Sequence, residues 1–383
     1  MPLEREHELF RKSLRRFLED RVTAHLDRWE AEGLPYRDLF PALGSRGYLG
    51  ITQPVEYGGL ALDHRYTTVW AHELGRLPAG SPAMSLSVQT DIVLPILEHA
   101  ESEIKEIYLR EAIAGRMVAA FAVTETGGGS DIRNIRTTAT PTNEGFLVNG
   151  EKSWITNGSV ADFLVVMCRT ADTGSPADLS LLVIPASLPG VTRKSVESKL
   201  GNWASDHGMV SFENVGVPRT NLVGVAGDGY ALMTETLIRE RRFLAVVACA
   251  QARRILTDSI TWANSHRIMG RALIDQQTVR LSIVDLLTQL ELIEAYVDRW
   301  STSIDASSLT LRAASVMKLR STQVARQAAD LALQLRGARA YMTDVGPSRD
   351  VRDTRAGSLA GGSDEALLHL IAKHLDEDHQ PGP

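Results

Sequence analysis

Four short segments carry side chains that could do chemistry. The first is Phe121–Asp131, FAVTETGGGSD, an apolar run that opens into a glycine-rich turn closed by Ser130. Glycine removes side-chain bulk, so backbone N–H groups in such a turn can approach a flat or anionic ligand. The same composition also suits a plain surface loop. The second is Asn149–Gly158, NGEKSWITNG, with Trp154 and Thr156 two residues apart. On a strand they share a face. An indole beside a hydroxyl fits a planar heterocycle, and a lone tryptophan equally fits a core. The third is Leu237–Ala245, LIRERRFLA. Glu240 has Leu237 three residues before it and Leu244 four after, so on a helix its carboxyl lies by an apolar stripe. Partial desolvation raises a carboxyl pKa, which suits a general base. The alternative is a surface ion pair with Arg241 or Arg242. The fourth is Gln334–Leu367, where a helix ends near Gly337 and a Gly361-Gly362-Ser363 turn opens a last helix carrying Asp364 and Glu365 in its first turn. Such a Ser-capped N-terminus is ordinary, and it also offers N–H groups to a phosphate or ring.

Three textures hold these segments. Residues 1–117 read as a helical domain: Leu9, Leu14, Phe17, Leu18, Val22 and Leu26 recur at helical spacing, and Ile92–Ile113 reads as further helix. Residues 118–225 read as a β domain of short apolar or alternating runs, with Asn143–Gly145 and Asn157–Gly158 as turns. Residues 226–383 return to long helices. Val279, Ile283, Leu286, Leu290, Ile293 and Val297 make one seam, and Met317, Val324, Ala328, Leu331 and Leu335 another, as in a bundle. His374–Pro383 is polar and reads as a frayed tail.

Composition narrows the function classes. In 383 residues, Lys plus Arg is 41 against 47 Asp plus Glu, a net charge of -6. That balance argues against a nucleic-acid binder. Cys168 and Cys249, the only cysteines, exclude a disulfide framework and a multi-cysteine zinc site. The histidines show no metal-ligand spacing, so no metal is expected. Dinucleotide GxGxxG, P-loop, HExxH and GxSxG signatures are all missing. No apolar stretch reaches a membrane span, and the N-terminus has no signal-peptide core, so a soluble cytoplasmic protein is expected.

The four segments in this order, with helical, β and helical texture between them, resemble the acyl-CoA dehydrogenase flavoprotein family over residues 5–375. Lys199–Pro218, Arg267–Gly270, Gln277 and Leu49–Asp63 also look like its signatures. The resemblance implies an α+β multidomain fold: an N-terminal helical domain, a central β-barrel-like domain and a C-terminal four-helix bundle. It implies FAD. Phe121, Val123, Thr124, Gly129 and Ser130 match contacts to the flavin and its phosphates. Trp154, Ile155 and Thr156 match the residues flanking the ring. Arg267, Gln277, Gln334 and Gly337 match positions that hold the ADP half, some across a subunit interface, and Ser363 and Glu365 match the turn beside the ring. Ser130, Arg241 and Gly361 are the implied substrate contacts, Arg241 holding the CoA or the neighbouring backbone.

Many family members carry the base in a Y-E-G-T motif, which falls here on Gly361, a residue without a carboxyl. The isovaleryl-, long-chain- and citronellyl-CoA-type branch instead places it on the first bundle helix before an Arg, and Glu240–Arg241 matches that pattern. The implied reaction is α,β-dehydrogenation of an acyl thioester, proton to Glu240 and hydride to flavin N5. The implied partners are acyl-CoA or an acyl-carrier protein, an electron-transferring flavoprotein, and further copies of the chain, a dimer at least and a tetramer by family habit. The usual R-x-x-F-G reads with Met269 for Phe, and Ala338 replaces a second glycine after Gly337.

Overall fold

The computed structural model describes residues 4–32, 37–301, 309–343 and 346–373. The polar tail His374–Pro383 lies outside them. Helices come first: α1 (Arg5–Arg21), α2 (Leu26–Glu32), α3 (Leu39–Gly44), α4 (His64–Gly75), then α5 (Ser81–Ser87) running through a π-helical turn, Val88–Val93, into α6 (Leu94–Leu97). A short break interrupts the helix expected over Ile92–Ile113, which resumes as α7 (Ser102–Ile104), a second π turn and α8 (Arg110–Ile113). Leu14 and Leu18 of α1 are buried as the helical spacing predicts, while Leu9 faces water.

Eight strands follow: β1 (Ala119–Ala122), β2 (Thr138–Pro141), β3 (Gly145–Thr156), β4 (Phe163–Arg169), β5 (Leu179–Pro185), β6 (Val191–Ser195), β7 (His207–Pro218) and β8 (Leu222–Val223). Their order is β6-β7-β3-β2-β4-β5-β8, with β1 parallel on β4. A single bridge, Thr138 to Arg169, joins the β6-β7-β3-β2 ladder to the rest. The two wings face each other across one core that includes Ala120 and Ala122 of β1, Phe146 and Val148 of β3, Leu164 and Val166 of β4 and Phe212 of β7. This mixed sheet is therefore wrapped around its own interior. The alternate residues of β4 and β5, Phe163, Val165, Met167, Leu181 and Val183, pack outward under the N-terminal helices. Burial on both faces explains why these strands read as unbroken apolar runs.

The chain ends in α9 (Gly229–Ser265), a small hairpin of β9 (Arg267–Ile268) and β10 (Arg271–Ala272), α10 (Gln277–Ser301), α11 (Leu311–Arg336), α12 (Gly346–Arg355) and α13 (Asp364–Lys373). Small residues let α9 and α11 approach closely: Ala245, Ala248 and Ala252 on one, Ala325, Ala328, Ala329 and Ala332 on the other, all buried in one cluster. Gly75 does the same where α4 crosses α9, since a Cβ there would lie 2.5 Å from the Val247 carbonyl oxygen.

Three buried side chains lock the layers together. Gln89 donates to Ala112 O (2.7 Å) and accepts from Ala119 N–H (3.0 Å), pinning β1 to the N-terminal helices. Asn157 bridges Ser85 and Ala119. Asp353 of α12 accepts from the N–H groups of Gly80 (2.9 Å) and Asn202 (2.7 Å), joining all three regions. Cys168 and Cys249 are buried and unpaired to each other. Burial pushes the Cys168 thiol up to about 12 and the Cys249 thiol higher still. No described helix is long and apolar enough to cross a membrane.

Candidate active site

The glycine-rich turn after β1 is held from behind by a buried ion pair. Glu125 accepts from Lys152 Nζ (2.8 Å), Thr137 Oγ1 (2.6 Å) and the N–H groups of Arg136 and Thr137. Burial opposes the charged form of Glu125, but Lys152 and Thr137 outweigh it and hold the carboxyl below its ordinary range. Lys152 also donates to Val123 O (3.0 Å). Glu125 and Gly128 close the turn through paired backbone hydrogen bonds, leaving Gly127–Ser130 exposed beyond. A Cβ on Gly129 would stand 3.3 Å from Thr124 Cγ2, a tight contact.

Ser153 N–H donates to Thr124 O (2.8 Å), so the second segment lies beside the first. The β3–β7 register slips between Lys152 and Ile155, and Trp154 takes a left-handed φ of 58°. This bulge turns the indole out: Trp154 is 53% exposed and is not a core tryptophan. Such a backbone is strained for a bulky residue, and strain of this kind concentrates at ligand sites. Ile155 sends its side chain into the β core, so its backbone is the part that can face a ligand. Thr156 Oγ1 lies 3.4 Å from His207 Nε2. Burial, followed by nearby Lys199, lowers the His207 pKa to about 4, so its ring is neutral at physiological pH.

Across from this surface stands α9. Phe121 and Val123 of the first segment and Leu237 of α9 pack on one shared cluster that contains Val88 and Ile92. Glu240, one turn after Leu237, is half-buried. Among the described residues no hydrogen bond holds its carboxyl, and Arg242 instead reaches Thr67 Oγ1 (2.8 Å). Burial pushes the Glu240 pKa up; Arg241 and Lys318 oppose the rise and Asp91 adds to it. Asp91, in the π turn, is itself raised to about 6 by burial, against its Thr90 hydrogen bond and the pull of Arg242.

The Gly361-Gly362 turn lies against Glu240. A Cβ on Gly361 would stand 2.8 Å from Leu244 Cδ1 and 3.7 Å from Glu240 Oε1. The two positions at which the family resemblance allows a base are thus neighbours in space. Arg241 is buried and spends its donors on the protein, Nε on Gly361 O (3.0 Å) and Nη1 on Ser315 Oγ (3.0 Å). Of its two expected roles, this geometry serves the holding of backbone. Ser363 Oγ caps α13 by accepting from Ala366 N–H (3.2 Å), and Glu365 is exposed.

Arg267, Gln277, Gln334 and Gly337 gather elsewhere. They sit where α9 ends, α10 begins and α11 ends, over a small cluster of Ala263, Leu273, Ile283 and Leu335. All four are exposed. Glu240 lies 25 residues before the end of α9, about 37 Å along its axis. The hairpin beside Arg267 projects Met269, 98% exposed, at its tip.

Sequence reasoning missed Lys152, Glu125, Asp91 and Lys318 as parts of this arrangement. The signal for Asp91 was present: a charged residue inside an apolar run, VQTDIVLP.

The fold has clear counterparts. The acyl-CoA dehydrogenase N-terminal, middle and C-terminal domain profiles match residues 4–116, 120–215 and 227–375. The long-chain specific acyl-CoA dehydrogenase of rat mitochondria (Rattus norvegicus) is 28% identical over 376 residues, 97% of this chain and 87% of that protein. A crystal structure of acyl-CoA dehydrogenase from Geobacillus kaustophilus is 32% identical, with a TM-score of 0.94 over 98% of this chain and 99% of the other. The prolyl acyl carrier protein oxidase AnaB is 27% identical, with a TM-score of 0.92 over 98% of this chain and 100% of the other.

Proposed function

The chain belongs to the acyl-CoA dehydrogenase family of FAD-dependent oxidoreductases, and from that premise we propose that it converts an acyl-CoA to its trans-2-enoyl thioester, with Glu240 as the base. The observation that carries this reading is the Glu240 carboxyl. Among the described residues it has no hydrogen-bond partner, its pKa is raised by burial, and it is set against the Gly361-Gly362 turn. A base of that kind matches the weak acidity of a thioester α-proton better than an ordinary surface carboxylate.

FAD, when bound, supplies the hydride acceptor for the β-carbon. The residues present fit it. Trp154, turned out by its bulge, offers an aromatic face beside the exposed N–H groups of the glycine-rich turn. Thr124 and Thr156 border the same surface. Gly361 N–H donates to no protein group among the described residues and would stabilise charge developing on the thioester oxygen. Leu237 and Leu244 flank Glu240 and exclude water from the acyl chain.

Arg267, Gln277, Gln334 and Gly337 gather by the far end of α9 from Glu240. They are assigned to the ADP half of the FAD in a second copy, so the working unit is at least a dimer. The proposed acceptor is an electron-transferring flavoprotein and the proposed compartment the cytoplasm. A second reading keeps the chemistry but takes a carrier-protein thioester; the likeness to AnaB favours it.

An anaerobic absorbance titration with straight, branched and terpenoid acyl-CoAs tests the proposal. Bleaching of the oxidised flavin band supports it and ranks the chains. A flavin bleached only by carrier-bound acyl groups moves the assignment to the second reading, and a flavin bleached by neither overturns both.

A further inference from the structure

We propose that Lys318 is a positioning residue for this reaction: with Arg241 it clamps the Gly361-Gly362 turn and thereby fixes the wall against which the Glu240 carboxyl works. The proposal rests on Glu240 being the base. Lys318 lies on α11 with none of its surface exposed, and its Nζ donates to Gly362 O at 2.7 Å. Arg241 takes the carbonyl just before, Gly361 O, at 3.0 Å. Two cations from two helices thus hold successive carbonyls of a turn whose glycines have φ of 65° and 101°. Ser315, one turn before Lys318, receives the other end of Arg241, so α9, α11 and the turn are tied by one continuous set of bonds.

A fully buried lysine is expensive unless partnered. The Gly362 carbonyl is one partner of Lys318, and neighbouring carboxylates are the others. The charged groups around Lys318 are Asp364 of α13 and Glu240 and Arg241 of α9; Asp91 faces Glu240 from the π turn. Burial lowers the Lys318 pKa to about 8, and Asp364 and Glu240 hold it from falling further. It is therefore mostly charged at neutral pH. In that form it favours ionised Glu240, keeping a desolvated base deprotonated and ready.

The test uses holo-protein carrying Lys318→Met, Lys318→Gln or Lys318→Arg. Two readouts are taken: hydrogen exchange of the 360–367 segment, and the pH dependence of flavin reduction by the best acyl-CoA. Lys318→Met should speed exchange in that segment and move the acid limb of the rate profile to higher pH, because loss of the cation disfavours ionised Glu240. The rate at the acid end should fall about tenfold more than at the plateau. Lys318→Arg keeps the charge and donors and should largely restore both readouts. If Lys318→Met does not fold, Lys318→Gln, neutral but able to donate, should still move the acid limb. Wild-type exchange with an unmoved acid limb in the neutral variants overturns the proposal. Equal loosening in Lys318→Met and Lys318→Arg reduces the lysine to a space-filling role and overturns it too. If no acyl thioester reduces the wild-type flavin, Glu240 chemistry falls, and the exchange comparison alone decides the clamp.

Discussion

The two ends of α9 make a useful contrast. Around Glu240 the chain is closed on itself: Arg241, Ser315, Lys318 and the Gly361-Gly362 turn are bonded to one another and mostly buried. Around Ser265 the same helix ends among Arg267, Gln277, Gln334 and Gly337, all exposed. One end is completed within a single chain. The other presents its polar groups outward. On the proposed function, the difference teaches that such a chain builds its proton-removing half alone and lends its remaining groups to another copy.

The largest effect should come from the closed end. Glu240→Gln keeps the shape and removes the base, so reduction of the flavin by acyl-CoA should slow by about 10²–10⁴-fold, while absorbance shows FAD retained. Reduction at the wild-type rate would remove Glu240 from the mechanism. Next is the buried pair behind the glycine-rich turn. Lys152→Met leaves Glu125 charged and uncompensated, and should cost about 3–5 kcal/mol in denaturant unfolding. Gly361→Ala should cost about 1–2 kcal/mol for its left-handed backbone, and its Cβ would press on Leu244 beside Glu240, slowing flavin reduction at unchanged FAD content. The smallest effect belongs to the open end. Gln334→Ala should weaken FAD binding by up to about tenfold, the worth of one hydrogen bond, without changing the rate of the flavin-saturated protein. A Gln334→Ala variant that loses rate but not affinity would erase the contrast.

Much of this was readable from residue order. The a/d seam of α10 appears in the structure as buried Ile283, Leu286, Leu290, Ile293 and Val297, because a helix with one partnered face must repeat its apolar side chains at that spacing. Glu240 was visible because two leucines flank it at helical intervals. Trp154 was only half visible. Strand alternation put it level with Thr156, but nothing local announces that the β3–β7 register slips and a tryptophan adopts a left-handed φ. The π turn through Val88–Val93 escaped for a similar reason, since one extra residue in a helix barely disturbs its periodicity. Lys318 escaped as well. Its burial depends on a turn 44 residues later in the chain, a contact that local patterns do not encode.

The two buried cysteines have a consequence for a protein that handles thioesters. Acyl groups pass between sulfurs through the thiolate, and both thiols here are pushed far above physiological pH inside apolar packing. Neither can accept the acyl group of a bound substrate, nor exchange with the free CoA that accumulates as thioesters hydrolyse. The two cysteines are thus protected from acylation by the chain's own cargo, and its activity should survive alkylating reagents that silence exposed thiols.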